Sequence, residues 1–195
     1  MRSFGTFVET DHQPGINRRH FIKIGLLSTI AAAVNPIQVV EAIARSLPRT
    51  RSLSLYNTHT NERLAVSYCR SGNYCSNGLA RINQLMRDHR TGDIKAIDTR
   101  LLDILYALAH RLDHTVSFHI ISGYRSQATN ASLRRKSRGV ARRSYHTQGM
   151  AIDIRIPSLQ ISMLHTEALN LNAGGVGYYP ESDFIHIDCG PTRNW

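Results

Sequence analysis

The chain has 195 residues, a length that suits one domain with a buried core and is short for two. Hydrophobic residues make up 42% of the chain and charged residues 19%, a composition that excludes an intrinsically disordered protein. The formal net charge of +10 favours a polyanionic partner such as nucleic acid, anionic lipid or an acidic wall polymer. Because the sequence has neither a zinc-finger spacing nor a ribonucleoprotein-type aromatic motif, we do not expect nucleic acid as the partner.

The N-terminal part of the chain has the organisation of a targeting segment. Residues 17–23 contain an arginine pair, apolar positions and a lysine, and they resemble the twin-arginine export signal. The apolar run over residues 24–34 is about 11 residues long, which suits a signal peptide and is short for a membrane span. Pro36 is expected to break a helix formed by this run.

Residues 40–42 offer a processing site of the kind that signal peptidase prefers, although Ala44 or Ser46 would serve equally. We therefore predict a signal segment over residues 1–42 and one domain over residues 43–195. The segment predicts export to the periplasm by the twin-arginine route, with no stable membrane span in the mature protein. The alternative interpretation is an uncleaved amphipathic or anchoring helix.

The first half of the domain predicts a hairpin, two helices and a strand. Residues 52–68 alternate between apolar and polar side chains around a polar turn, which is typical of a β-hairpin. Apolar residues recur at helical spacing over residues 77–89, and Asp98 is placed to begin a second helix with a long apolar face. Residues 116–121 are rich in β-branched and aromatic side chains, which favours a strand.

The second half begins with a turn that presents Arg125 at the end of this strand. Residues 127–138 then predict a short basic helix, either a solvated face or a docking surface for an acidic polymer. Residues 150–156 alternate as a strand and residues 158–171 predict a helix. Residues 174–177 are glycine-rich and predict a tight turn, without the spacing of a dinucleotide-binding motif.

The remaining cysteines and histidines support more than one interpretation. An oxidising compartment would permit a disulfide between Cys69 and Cys75, leaving Cys189 unpaired, but three free thiols are equally compatible with the sequence. His110 and His114 are four residues apart, a spacing that suits metal binding. We interpret them instead as residues at the end of a core helix, where cationic side chains are mildly favoured.

Two histidines and one aspartate are candidates for a metal site. His146 stands just before the strand over residues 150–156, and Asp153 lies within that strand. His186 lies in a final strand predicted over residues 184–188. A catalytic zinc ion needs imidazole nitrogens and a carboxylate on rigid elements, with a fourth position open for water. Each residue alone is compatible with a structural role, but the set of three predicts a zinc site.

Three motifs carry a resemblance to a known family. They lie in residues 121–126, 144–157 and 175–195, and they resemble the zinc D,D-peptidases that share the fold of the hedgehog signalling domain. More closely, they resemble the YcbK-like (MepK-type) murein endopeptidases of Gram-negative bacteria, over roughly residues 50–195. The resemblance implies an α+β fold, with a small antiparallel sheet flanked by helices.

The resemblance also implies a chemistry. His146, Asp153 and His186 match the zinc ligands of the family, and Arg125 matches an arginine that binds substrate and stabilises an oxyanion. The implied reaction is metal-assisted hydrolysis of peptide cross-links in peptidoglycan, with a carboxylate accepting the proton of the attacking water.

The general base is Asp183 or Asp188. The wider family places an acid three residues before the last ligand, where this chain has Asp183. In a regular strand that position faces away from His186, so a bend before Phe184 is required. Asp188 lies on the ligand face and is the alternative, either as base or as the partner that orients a histidine. Cys189 has no evident role in the chemistry.

The sequence therefore favours a zinc-dependent murein endopeptidase. Two other functions fit the same fold: a non-catalytic zinc-containing module that binds the wall, and an exported D,D- or L,D-carboxypeptidase. Two cross-links remain open as substrates, the D-alanyl–diaminopimelate bond and the direct diaminopimelate–diaminopimelate bond.

Overall fold

One eight-stranded sheet organises the fold, and the computed structural model describes residues 36–112, 116–137 and 139–195. The strands are β1 (Arg51–Asn57), β2 (Arg63–Arg70), β3 (Asn73–Tyr74), β4 (Ser117–Ser122), β5 (Ala151–Arg155), β6 (Gly175–Tyr179), β7 (Phe184–Asp188) and β8 (Arg193–Asn194). The α-helices are α1 (Pro36–Ser46), α2 (Ser76–Leu85), α3 (Thr99–Arg111), α4 (Gln127–Lys136) and α5 (Ile161–Asn170). Two short 3-10 helices cover Tyr145–Gln148 and Pro180–Ser182.

The strands lie in the order β3-β2-β1-β4-β5-β7-β6-β8. Neighbouring strands are antiparallel except for the pairs β1–β4 and β6–β8, which are parallel. The expected α+β class is confirmed, with these two parallel pairs added to the antiparallel ones. The strands β4, β5, β7 and β6 are antiparallel throughout, and two of them, β5 and β7, carry the predicted metal ligands Asp153 and His186.

The two faces of the sheet differ in burial. Apolar side chains of β1, β2, β4, β5 and β7 point to one face and form the core with α3, and they include Leu53, Leu55, Val66, Phe118, Ile120, Ile152, Ile154, Ile185 and Ile187. Because side chains alternate along a strand, the intervening residues point to the other face. On β1 and β2 that second face is largely exposed.

A buried ion pair joins the sheet to the helical layer. The Nη1 atom of Arg51 on β1 lies 3.2 Å from Oδ1 of Asp103 on α3, and both side chains are almost fully buried. The hydroxyl of Tyr68 donates to Asp103 at 2.8 Å, and Nη2 of Arg51 donates to Sγ of Cys69 at 3.0 Å. These hydrogen bonds partly compensate for the burial of two charges, and the ion pair links α3 to β1 and β2.

The cysteines are free thiols. Cys69 is buried beside Arg51, whereas the Sγ atom of Cys75 is directed to the carbonyl oxygen of Asn73. Cys69 pairs with Tyr74 in the β2–β3 register, so Cys75 follows on the opposite face of that hairpin. This alternation, which the sequence could not resolve, keeps the two thiols apart; Cys189 is also unpaired and is buried.

The glycine-rich residues 174–177 were expected to form a turn, and this prediction is wrong. Gly175 begins β6, which pairs with both β7 and β8. A Cβ atom on Gly175 would lie 2.5 Å from Nη1 of Arg193, and one on Gly177 would lie 2.7 Å from the indole of Trp195. The glycines therefore mark the close approach of the C-terminal side chains to a strand.

Helix α1 crosses the boundary that the sequence predicted at residue 42. Pro36 is the first residue of this helix, where proline is tolerated because no backbone donor is required. The helix that Pro36 was expected to break, over residues 24–34, lies outside the described residues. Val40 is 1% exposed and is part of the core, and Ile43 packs against it. Nη1 of Arg51 donates to the carbonyl of Ala44 at 3.3 Å, which links α1 to the buried ion pair.

The export motif and the apolar run, over residues 17–34, lie outside the described residues. Within the described part of the chain, no helix combines the length and the apolar character needed to cross a membrane.

Val40→Asp tests whether α1 is an integral part of the domain. We expect this change to lower the free energy of unfolding by about 3 kcal/mol, because it replaces a buried apolar side chain by an unpaired carboxylate. Gln38→Asp, on the exposed face of the same helix, should change it by less than about 0.5 kcal/mol. Denaturant titration of both full-length variants measures the difference, and equal midpoints would show that α1 does not contribute to the core.

Candidate metal centre

Three predicted ligands converge in one buried cluster. Nε2 of His146 lies 3.2 Å from Oδ1 of Asp153, and Nδ1 of His186 lies 2.9 Å from the same oxygen. The two imidazole nitrogens are 3.2 Å apart. All three side chains are at most 9% exposed. Among the described residues this is the one group of three or more histidine, cysteine or acidic side chains that could hold a metal ion.

The sheet register places two of the ligands. Asp153 of β5 and His186 of β7 are direct partners in an antiparallel pair, so their side chains emerge side by side on the same face. The neighbouring core positions, Ile152 with Ile187 and Ile154 with Ile185, fix that register because a slip of one residue would bury the polar face.

A short 3-10 helix places the third ligand. Ser144 caps its start, and its Oγ accepts a hydrogen bond from the backbone N–H of His146 at 3.3 Å. Gly149 ends it in a left-handed conformation with φ of 73°, and a Cβ atom there would collide with the carbonyl oxygen of Ala96. Glycine is therefore required at this position, for its conformation and for the close contact.

Outer hydrogen bonds fix the protonation of both imidazoles. Nδ1 of His146 lies 2.8 Å from the carbonyl oxygen of Gly123, which can only accept, so Nδ1 donates and Nε2 faces the cluster with its lone pair. Nε2 of His186 lies 3.0 Å from Oδ2 of Asp188, so this nitrogen donates and Nδ1 faces the cluster. Two imidazole nitrogens and one carboxylate oxygen, each supported from behind, fit a zinc ion.

The charges of the cluster agree with a cation at its centre. Burial opposes ionisation of Asp153, but attraction and hydrogen bonds from His146 and His186 hold its pKa below the usual range. Burial lowers the pKa of His146. Burial also opposes the charge on His186, but hydrogen bonds to Asp153 and Asp188 raise its pKa to about 9. A bound dication would displace the proton that His186 shares with Asp153.

Asp188 lies behind His186, away from solvent. Its side chain is fully buried, and it accepts hydrogen bonds from Nη2 of Arg193 at 2.6 Å and from the backbone N–H of Gly190 at 2.9 Å. Burial would raise the pKa of Asp188, but the hydrogen bonds from His186 and Arg193 lower it to about 2. Arg193 was not recognised in the sequence, because its link to Asp188 depends on the position of the C-terminal segment.

Asp183 stands directly before β7, the strand that carries His186. Its φ of 52° is left-handed, so the bend that was required before Phe184 is present. The carboxylate is 60% exposed and its Oδ2 lies 3.0 Å from Nη1 of Arg155. Arg155 follows Asp153 by two residues on β5 and points to the same face. The ion pair therefore holds Asp183 over the face that carries the ligands.

Arg125 reaches the cluster from the loop after β4. Its Nη2 atom lies 3.4 Å from Oδ2 of Asp153 and 3.1 Å from Oγ of Ser122, and its side chain is 12% exposed. Asp88, which the sequence did not single out, holds this loop: its Oδ2 accepts from the backbone N–H of Ser126 at 2.8 Å. The contact spans 38 residues, so no local pattern could have indicated it.

Other candidates lie away from this site or contribute no chemistry. Burial raises the pKa of the Cys189 thiol to about 12, and its Sγ donates weakly to the carbonyl of Met150, which suits an inert core residue. His110 is exposed at the end of α3, and His114 lies outside the described residues. The basic residues of α4 are exposed, and Arg138 of that predicted patch also lies outside the described residues.

A family model and several known proteins are similar to this chain over most of its length. The family model described as peptidoglycan L,D-endopeptidase MepK matches residues 45–195. The peptidoglycan L,D-endopeptidases MepK of Escherichia coli K12 and of Shigella flexneri are each 43% identical over 179 residues, covering 92% of this chain and 97% of theirs. A probable MepK of Haemophilus influenzae is 37% identical over 180 residues, covering 92% and 95%. No solved structure matches the chain.

Asp188→Asn tests the support behind His186. Asparagine keeps the shape but weakens the charged hydrogen bond that orients the imidazole, so we expect zinc affinity to fall by about 10- to 100-fold. Competition against a fluorescent zinc chelator measures this affinity. Asp183→Asn is the matched control, since its carboxylate contacts Arg155 and not a candidate ligand, and it should bind zinc as the unaltered chain does. Equal affinities in all three proteins would contradict the role of Asp188.

Proposed function

This chain belongs to the peptidoglycan L,D-endopeptidase MepK family, and from that membership we propose that it is a zinc-dependent endopeptidase that cuts peptide cross-links in peptidoglycan. The observation that carries the proposal is the buried cluster of His146, Asp153 and His186, whose donor atoms lie within 4.8 Å of one another. Nε2 of His146, Nδ1 of His186 and the carboxylate of Asp153 are the atoms that would hold the ion. When bound there, zinc supplies Lewis-acid activation of water and of the scissile carbonyl.

Arg125 is proposed to stabilise the negative oxygen that forms when the peptide carbonyl is attacked. Its guanidinium lies beside Asp153 and Ser122, at the edge of the cluster, in a largely buried position where a hydrogen bond to a developing charge is strong. Its Nε has no hydrogen-bond partner in the described part of the chain. The loop that presents Arg125 is held by Asp88, so the guanidinium is positioned before substrate binds.

Asp183 is proposed as the general base. A base must exchange protons with a water at the cluster, and the carboxylate of Asp183 is exposed on the ligand face. Asp188 is fully buried and its oxygens accept from His186, Arg193 and Gly190, so it has no oxygen left for that water. We therefore assign Asp188 to orientation of His186.

The names of the relatives support a proposal for the bond that is cut. Their names specify an L,D-endopeptidase. Of the two cross-links that the sequence left open, the direct diaminopimelate–diaminopimelate bond joins an L centre to a D centre, and we propose it as the bond that is cut. An enzyme acting on the wall must leave the cytoplasm, so the proposal includes a periplasmic location reached through the twin-arginine signal at residues 17–23.

Digestion of purified cross-linked muropeptide dimers tests this function. The protein should convert dimers to monomers, lose that activity with a chelator and regain it with zinc, and mass spectrometry of the products should identify the L,D bond. His146→Ala should abolish both zinc binding and cleavage, because it removes one of three ligands.

His165→Ala is the control, since this histidine stacks on Tyr178 and lies outside the cluster. Cleavage that survives in His146→Ala would refute the metal mechanism. Dimers that persist although zinc binds would favour the wall-binding module, and loss of a terminal residue alone would favour a carboxypeptidase.

Asp183→Asn tests the base. We expect kcat to fall by about 10²- to 10⁴-fold without loss of zinc, because the variant retains the ligands but not the proton acceptor. Glu181→Gln, an exposed acid two residues earlier, should keep kcat within about twofold. Steady-state cleavage of a soluble dimer gives both values, and an unchanged kcat in Asp183→Asn would exclude this residue as the base.

A further inference from the structure

The sheet face that carries the metal cluster continues uncovered toward β2. Arg155, two residues after Asp153, pairs with His119 of β4. His119 is in register with Tyr56 of β1, and Tyr56 pairs with Arg63 of β2. Residues that pair in register point to the same face, so all of these side chains share the face of Asp153.

These side chains form a continuous row. The rings of Tyr56 and His119 meet edge to face with centroids 4.7 Å apart, and Cζ of Arg63 lies 4.2 Å above the ring of Tyr56. Burial lowers the pKa of His119, and the charges of Arg155 and Arg63 lower it further. The local potential along the row is therefore positive, and the row offers an aromatic surface next to cations.

The row ends in an open groove of about 740 Å³. Its lining includes small side chains from alternating positions of β1 and β2 and two arginines, namely Ser52, Ser54, Ala65, Ser67, Arg70 and Arg81. Both arginines are exposed, and neither pairs with an acidic side chain in the part of the chain that the structure describes. No acidic residue of that part lines the groove.

The position of the groove suits an extended substrate. Adjacent strands are about 4.8 Å apart, so β1 and β2 lie about 10 and 14 Å from β5. The groove also lies further along the strands, because Ser54 pairs with Ser117, whereas Asp153 pairs with Ser122. Ser54 and Ser52 are therefore about four and six positions from the level of Asp153, or about 13 and 20 Å. The groove is thus about 16 to 24 Å from the cluster, which an extended peptide advancing about 3.3 Å per residue spans in about five to seven residues. A polymer bound with its scissile bond at the cluster would therefore continue over the row and into the groove.

We propose that this groove is a second binding site for the peptidoglycan polymer, in which Arg70 and Arg81 bind carboxylates of the stem peptides away from the bond that is cut. The inference rests on the proposed function, because peptidoglycan is its occupant. The groove lining mixes polar and apolar side chains, carries two arginines, and has serine hydroxyls that can form further hydrogen bonds to sugars and amides, which suits an acidic glycopeptide better than the apolar core of a protein–protein interface. The site would raise affinity for the intact wall without taking part in the chemistry.

A charge-reversal experiment tests the site against the other exposed basic surface, on α4. The full-length protein, the double variant Arg70→Glu/Arg81→Glu and the matched double variant Arg134→Glu/Arg135→Glu are sedimented with purified insoluble sacculi in the presence of a chelator, which prevents digestion. We expect the dissociation constant to rise by about tenfold or more for the groove variant and by less than about threefold for the α4 variant. The groove variant should cleave a short soluble dimer with kcat within about twofold of the unaltered protein.

Each outcome decides the inference. An unchanged affinity in the groove variant overturns it, and so does an equal loss in both double variants, which would show attraction by net charge alone. A greater loss in the α4 variant would assign wall binding to that helix instead. If the unaltered protein binds sacculi through the groove but never cleaves dimers, the proposed function fails while the binding site stands.

Discussion

The site depends on hydrogen bonds that reach the two histidines from behind. The carbonyl of Gly123 fixes the proton of His146 on Nδ1, and Asp188 fixes that of His186 on Nε2. Once a bound cation displaces the proton that His186 shares with Asp153, each imidazole presents a lone pair to the same point, beside the carboxylate of Asp153. If either support were lost, the ring could rotate or change its tautomer, and three residues in contact would no longer form a set of ligands.

The two faces of the sheet have different roles: one forms the core and the other carries the candidate site. The buried face is continuous with the core, and the Arg51–Asp103 ion pair ties it to α3. That rigid layer holds the register of β5 and β7, on which the distance between Asp153 and His186 depends. The other face is free of such packing on β1 and β2, and the same face carries the candidate metal cluster, the aromatic row and the groove.

The three candidate ligands could be predicted from the sequence, because their spacing reflects local structure. Asp153 and His186 stand in runs that alternate as strands, and His146 stands with Gly149 at a turn. The residues that position the loop of Arg125 and the carboxylate of Asp188 could not be predicted in this way. Asp88 and Arg193 form hydrogen bonds with residues that are not their neighbours in the sequence. The strand that begins at Gly175 resembled a turn in the sequence because its glycines are required by the close approach of Arg193 and Trp195, not by the local backbone.

The sequence by itself determined the class of fold, the membership of a family and the three candidate ligands, because periodicity and motif spacing are local properties of the chain. Only the tertiary structure shows how the surroundings of the two candidate acids differ. Asp183 and Asp188 are both close to His186 in sequence, yet one is exposed beside Arg155 and the other is enclosed by His186 and Arg193. Whether a carboxylate can accept a proton or only orient a neighbour depends on its burial and its partners, and these arise from packing between distant segments.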